Sequence, residues 1–594
     1  MWKPFSLSLA LLLFVAAANR QPDNAIGVEH CVARFRTDAR EFAMHISALK
    51  SAVEQIDGND GQSIALVKKK LCDTRLAYKR IGFFLEYFFF TSSRIYNRPP
   101  KTEIEEPHLE YMDPVGLQYI EALLFDDPAS HKSALLEQCR LLENASNDIP
   151  ALLYGFKATD AQILESVRLE LVRVMTLSIT GFDAPLLKSG LDEASVSLQA
   201  IRQVLTPYIM QPSDDIVLKY FTSCEVALSK NNDFDHFDRL SFLTGSALPL
   251  QERLGRMIAG LGLQMNEKGI LNYNGKNLFS PDALNQAAFG IDTADKALSD
   301  LGEKLFFETR LSANGTRSCA SCHNPALHFT DGLPKSTGIH PGQNVRRNAP
   351  TLLYAAYQHT QFWDGRAKTL EEQIKTVIHD SLEMNGSPEL LIRKLAKNRH
   401  YRRLIRNAAP ERDSLSDQVI YRSIAAYVRR LQPFNSDFDR YIQGDTSAMT
   451  ESQISGFNLF MGKAQCGTCH FAPLFNGLIP PLYAQTEFEI LGTTTTGDFT
   501  AIDSDLGRFE TQPTPYYRGA FKTPTVRNAA VTAPYMHHGT FGTLEKVVEF
   551  YDKGGAAGMG LTSANQSLSA SPLRLSDQEK TDIIAFLHAL TDRL

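Results

Sequence analysis

Two copies of Cys-x-x-Cys-His constrain this chain more than any other feature: Cys319-Ala320-Ser321-Cys322-His323 and Cys466-Gly467-Thr468-Cys469-His470. In each, the two-residue gap sets a pair of thiols at the spacing of porphyrin vinyl groups. The adjacent histidine then reaches the same iron from one side. A single copy can also be a redox dithiol. Two copies, both with the histidine and both in one half of the chain, point to two covalently bound haem c groups.

The first residues read as an export signal. Lys3 supplies a positive start, Leu7 to Ala18 form an apolar run too short to span a bilayer, and Ala16-Ala17-Ala18 offers a cleavage site before Asn19. Residues 1–18 are therefore expected to be a signal peptide, with no membrane span after cleavage. Haem c is attached outside the cytoplasmic membrane, so in a Gram-negative cell the expected location is the periplasm. A formal net charge of −6 argues against nucleic-acid binding, which usually needs a basic face. Cys31, Cys72, Cys139 and Cys224 lie outside the haem motifs. In an oxidising compartment they allow two disulfides or four free thiols.

The apolar pattern predicts a mainly α fold. Segments such as Cys31–Ile56, Ile64–Phe90, Ala161–Thr180, Glu193–Ile209 and Phe237–Leu261 carry apolar residues at three- and four-residue spacing, which predicts a helical bundle over 26–265. Asn-Gly and Ser-Pro signals mark 272–294 as a linker. Within the bundle, Gly116-Leu117-Gln118-Tyr119-Ile120-Glu121 weakly resembles the Gly-x-His-x-x-Glu helix of imelysin-like domains, with Gln118 in place of the metal-binding histidine.

Around the haem motifs, further segments follow in order: Leu301-Gly302-Glu303-Lys304-Leu305-Phe306, Arg347-Asn348-Ala349-Pro350-Thr351, Phe362-Trp363-Asp364-Gly365-Arg366, Phe521-Lys522-Thr523-Pro524-Thr525 and Thr532-Ala533-Pro534-Tyr535. This set resembles the bacterial dihaem cytochrome c peroxidase and MauG superfamily. The resemblance implies two cytochrome c-like haem domains after the bundle, 295–445 and 446–594, one haem in each.

It also implies site residues. Trp363 is the only tryptophan besides Trp2; in the superfamily its counterpart lies between the haems, where an oxidisable indole can relay electrons. Glu383 matches the distal glutamate, and Gln373 the neighbouring glutamine. A carboxylate in an apolar pocket can move a proton between the two peroxide oxygens. His340, in a Gly/Pro-rich loop, corresponds to the removable ligand of the first haem, though MauG-type members work without one. Tyr551 stands where the second iron takes its sixth ligand, with Met536, His537 and His538 as competitors. Asn348, Thr532 and Pro534 would offer oxygens to a calcium ion between the haem domains.

Three functions remain open at this point. The first is a peroxidase reducing hydrogen peroxide with electrons from a cytochrome c, a cupredoxin or a quinol. The second is a MauG-type oxidase acting on a protein or small molecule. The third is a dihaem electron carrier, which has no need of Glu383 and Gln373. A homodimer is compatible with all three.

Overall fold

The computed structural model describes residues 25–58, 60–105, 109–292, 295–395, 397–408 and 416–594, so the signal-peptide expectation lies outside the described residues. The N-terminal half is helical because its apolar residues recur on one face. Phe35, Phe42, Ile46, Leu49 and Val53 of Val28–Glu54 are buried. They meet Leu71, Tyr78, Ile81 and Phe84 of Gly61–Phe88. Phe35 stacks on Phe84 at 4.3 Å and Phe42 lies 5.6 Å from Tyr78, so the two helices run antiparallel. Asp60 starts the second helix by accepting from the Gln62 and Ser63 amides. Lys132–Leu152, Asp160–Arg173, Gly190–Val204, Asp215–Lys230 and Leu248–Gly260 complete the bundle. Cys31, Cys139 and Cys224 are buried and Cys72 is half-buried, all four as free thiols.

The stretch expected to be a linker is packed rather than loose. Its asparagines make local turns (Asn272 to the Asn274 amide, Asn277 to the Phe279 amide), while Leu278, Phe279, Leu284 and Phe289 are buried. The Phe279 ring meets Phe438 edge-on at 5.7 Å.

The haem half uses one device twice. Helix Lys296–Phe306 crosses Asp417–Arg429, and Glu451–Phe460 crosses Asp577–Ala589. At each crossing a glycine faces a backbone carbonyl. A Cβ on Gly302 would lie 1.8 Å from the Ser423 oxygen, and one on Gly456 would lie 1.9 Å from the Asp582 oxygen. Only a bare backbone permits that approach. These paired crossings are those of two cytochrome c-like units, each carrying one Cys-x-x-Cys-His turn.

The bundle docks on the second unit. The Asn458 side chain accepts from the Leu240 amide at 2.9 Å and donates to Asp238 at 3.1 Å, and Phe182 meets Phe471 edge-on at 5.8 Å. Among the described residues, strands are confined to two short antiparallel pairs, Glu103–Glu105 with Glu110–Met112 and Phe488–Glu489 with Phe521–Lys522. None of the described helices is long and apolar enough to cross a membrane.

Gly456→Ala should force the second crossing apart. Overpacking of this kind costs about 1–3 kcal/mol, so thermal unfolding of the haem-loaded protein should shift down by several degrees. A wild-type midpoint would contradict this reading of the crossing.

Candidate functional site

Each haem motif forms a single 3-10 turn, Cys319–Ser321 and Cys466–Thr468. The following histidine amide bonds back to the first cysteine carbonyl at 2.9 Å in both copies. His323 Nδ1 lies 3.0 Å from the Phe329 carbonyl, and His470 Nδ1 lies 3.0 Å from the Pro524 carbonyl. A carbonyl can only accept, so Nδ1 carries the proton and Nε2 presents its lone pair, as an iron ligand requires. Burial pushes the Cys319 and Cys466 thiols up to about 12. A redox dithiol is activated by the opposite shift.

His470, Cys466 and Cys469 line a cavity of about 2290 Å³. This exceeds the ~300–1,000 Å³ of ordinary small-molecule pockets and has room for a porphyrin. Tyr551, on helix Leu544–Asp552, lines the same cavity, as do Met536 and His537. Burial raises the Tyr551 phenol, with the nearby cysteines of the second motif adding to the effect. A cation opposite the oxygen is what would bring it down. The residues of this site therefore fit a covalently held haem, with His470 on one side and a tyrosine oxygen in the same chamber.

Trp363 also lines this cavity. Its indole N–H donates to the Asn348 carbonyl at 3.0 Å, and its own carbonyl accepts from the Lys522 amide at 2.8 Å. The turn that presents it needs Gly365, at φ +67°, where a Cβ would lie 2.5 Å from the Phe488 ring. Asn348, Thr532 and Pro534 share the cavity wall; the Asn348 amide donates to the Leu333 carbonyl at 2.8 Å, which leaves its side-chain oxygen available.

Glu383 lies outside that cavity. It follows helix Leu370–His379, and its amide is held by Asp380 at 3.1 Å. Burial pushes its carboxyl up to about 7, Asp380 adding to the rise and Arg366 opposing it. The carboxylate in turn raises Cys319 and Cys322, which places it near the first haem motif. Gln373 lines the large cavity. His340 is exposed at the tip of its turn.

Several groups have no counterpart in the sequence reading. Lys101 from the bundle reaches Glu487 and Glu489, and Glu489 lies 3.5 Å from the Cys469 sulfur. The bundle thus closes one side of the second haem chamber. Lys522, lowered to about 7 by burial with Asp364 opposing, donates to Gln358 and, at 2.8 Å, to the Thr360 carbonyl. In the bundle, Gln118 donates to Asn97 and Asp183, Glu121 accepts from the Leu186 and Leu187 amides, Arg75 pairs with Glu193, and Lys79 with Asp183. Burial works to raise Glu193, but Arg75 and Lys79 outweigh it and hold the carboxyl at about 2. Arg75 and Lys79 thus face the carboxylates of Glu193 and Asp183 behind the Gly116–Glu121 segment.

Comparison with known proteins agrees with this geometry. Residues 296–447 match the family described as di-haem cytochrome c peroxidase. The cytochrome-c peroxidase IdrP1 of Pseudomonas sp. (strain SCT) is 38% identical over 310 residues, 49% of this chain and 80% of that protein. The methylamine utilization protein MauG of Methylorubrum extorquens is 36% identical, covering 49% and 77%. The cytochrome c551 peroxidase of Pseudomonas aeruginosa is 32% identical, covering 57% and 92%. With these turns, carbonyl-held histidines and relatives, the chain belongs to the dihaem cytochrome c peroxidase and MauG family.

Proposed function

We propose that this chain is a dihaem peroxidase that reduces hydrogen peroxide to water with two electrons from a cytochrome c, a cupredoxin or a quinol. The observation that carries this reading is Glu383, a carboxyl raised to about 7 beside the first Cys-x-x-Cys-His turn. An electron carrier has no use for such a group. Haem, when bound through the two cysteine pairs, supplies an iron that can take peroxide and a store of electrons. Glu383 as a carboxylate accepts the proton of one peroxide oxygen and returns it to the other, so that water leaves. Gln373 and Trp363 act from the side of the larger cavity, Gln373 as a hydrogen-bonding amide and Trp363 as the relay between the two haems. Tyr551 would offer an oxygen ligand to the iron that His470 would hold.

The finer assignments belong to the same proposal. Residues 26–265, 295–445 and 446–594 act as three domains. The protein works in the periplasm after loss of residues 1–18, alone or as a homodimer. Asn348, Thr532 and Pro534 hold a calcium ion, and the exposed His340 is free to swing as a gated ligand. A MauG-type oxidation of a protein or organic substrate is the second reading. It is favoured by Tyr551 in the His470 chamber, because an anionic oxygen ligand lowers the potential relative to methionine.

Intact mass should exceed the polypeptide by two haems, and Cys466→Ala/Cys469→Ala should lose one of them. Retention of both would contradict covalent attachment at the second motif. The wild-type rate with peroxide should fall as pH drops below about 7, because protonation removes the base. Glu383→Gln should abolish this titration and slow the reaction by about 10²–10⁴-fold; stopped-flow traces unchanged in rate and pH profile would remove Glu383 from the reaction. Tyr551→Phe should alter the absorption spectrum of the second haem alone. An unaltered spectrum would make Met536 the next residue to test.

A further inference from the structure

Beside the haem cavity, one cluster gathers metal-binding groups, of which His537 and His538 entered above only as competitors of Tyr551 for the second iron. Asp503, His537 and His538 each bring a ligand atom within 4.8 Å of the other two. The loop carrying Asp503 folds over the loop carrying the histidines. The Asp503 amide donates to the Thr493 carbonyl at 2.9 Å, Thr495 donates to Ala501 at 2.9 Å, and Thr540 Oγ1 donates to the Thr495 carbonyl at 3.1 Å. Asp503 Oδ2 accepts from the Asp505 amide at 3.1 Å and sits 2.9 Å from His537 Nε2.

His538 carries the decisive detail. Its Nε2 lies 3.1 Å from the Thr494 carbonyl, which can only accept, so Nε2 is the protonated nitrogen. The lone pair is then on Nδ1, and that atom is buried with no hydrogen-bond partner. A carbonyl that fixes the tautomer and leaves the other nitrogen's lone pair free is the outer-shell arrangement of metal-binding histidines. The His537 ring is immobilised as well, stacked on Phe521 at 3.7 Å.

We propose that Asp503, His537 and His538 form a site for a divalent cation of the zinc type, with water completing the shell. Two imidazoles and one carboxylate match the borderline character of zinc, and three protein ligands leave one position open. Tetrahedral zinc with bonds of about 2.0–2.1 Å sets its ligand atoms about 3.3 Å apart, so the cluster, whose ligand atoms lie within 4.8 Å of one another, would tighten around the ion. The metal replaces the proton shared by His537 and Asp503. This site differs from the oxygen set of Asn348, Thr532 and Pro534, which suits a hard cation. It also touches the electron relay: the Asn348 amide donates to the His537 carbonyl at 2.8 Å, and the Asn348 carbonyl holds the Trp363 indole. A bound cation would place positive charge one peptide unit from that contact.

The test uses the haem-loaded full chain, stripped with a chelator, resupplied with calcium, then titrated with zinc alone. One zinc per chain should survive gel filtration and raise the thermal midpoint. The zinc K-edge spectrum should show two imidazoles. His538→Asn and Asp503→Asn should each weaken zinc retention at least tenfold while keeping both haems. No retained zinc in the wild type, a shell without imidazole, or equal retention in both variants would overturn the proposal.

Discussion

Each motif histidine is turned by a hydrogen bond from Nδ1 to a backbone carbonyl, and those two carbonyls are themselves held by the segments around Trp363. The Phe329 carbonyl belongs to a loop whose neighbouring His328 carbonyl accepts from Thr351 Oγ1 at 2.6 Å. Thr351 follows Asn348, whose carbonyl receives the Trp363 indole. On the other side, the Trp363 carbonyl receives the Lys522 amide, two residues before the Pro524 carbonyl that orients His470. These hydrogen bonds link the segment that carries Trp363 to the segments whose carbonyls orient both imidazoles. Such bonds are worth about 0.5–1.5 kcal/mol each; their importance here is geometric, because ligand orientation tolerates little error.

The helical bundle contributes to the second haem chamber rather than standing apart from it. Lys101 reaches the carboxylates beside Cys469, and the chamber wall includes Asn97, Gln118 and Asp183 from the bundle. Behind that wall lie the buried pairs of Arg75 with Glu193 and Lys79 with Asp183. Removing one partner of such a pair leaves an uncompensated buried charge and costs about 3–5 kcal/mol. The bundle thus offers the second haem chamber a polar wall backed by buried ion pairs.

The haem motifs were legible in the sequence because covalent attachment fixes their spacing locally. The long helices of the bundle were legible from apolar periodicity, and the boundaries of Val28–Glu54 and Gly61–Phe88 fall within three residues of those expected. Lys132–Leu152 escaped notice, with Pro150 in its last turn and a polar stretch through its middle. The carbonyl partner of His323 is six residues away, but that of His470 is 54 residues away, and no local pattern announces it. Likewise the pairing of Asp503 with His537 spans 34 residues. A readable signal did exist for the helix crossings. Gly302-x-x-Leu305-Phe306 and Gly456-x-x-Leu459-Phe460, alike in their internal spacing, precede the first and second haem motifs.

Reduction of peroxide at the expense of an external donor is tested most directly by counting electrons. The haem-loaded protein would be given limiting peroxide with an excess of reduced cytochrome c, and in parallel with a quinol. Peroxidase action predicts sustained turnover with at least one donor, and two electrons withdrawn from it for each peroxide consumed. Peroxide consumed while both donors remain reduced would contradict the account.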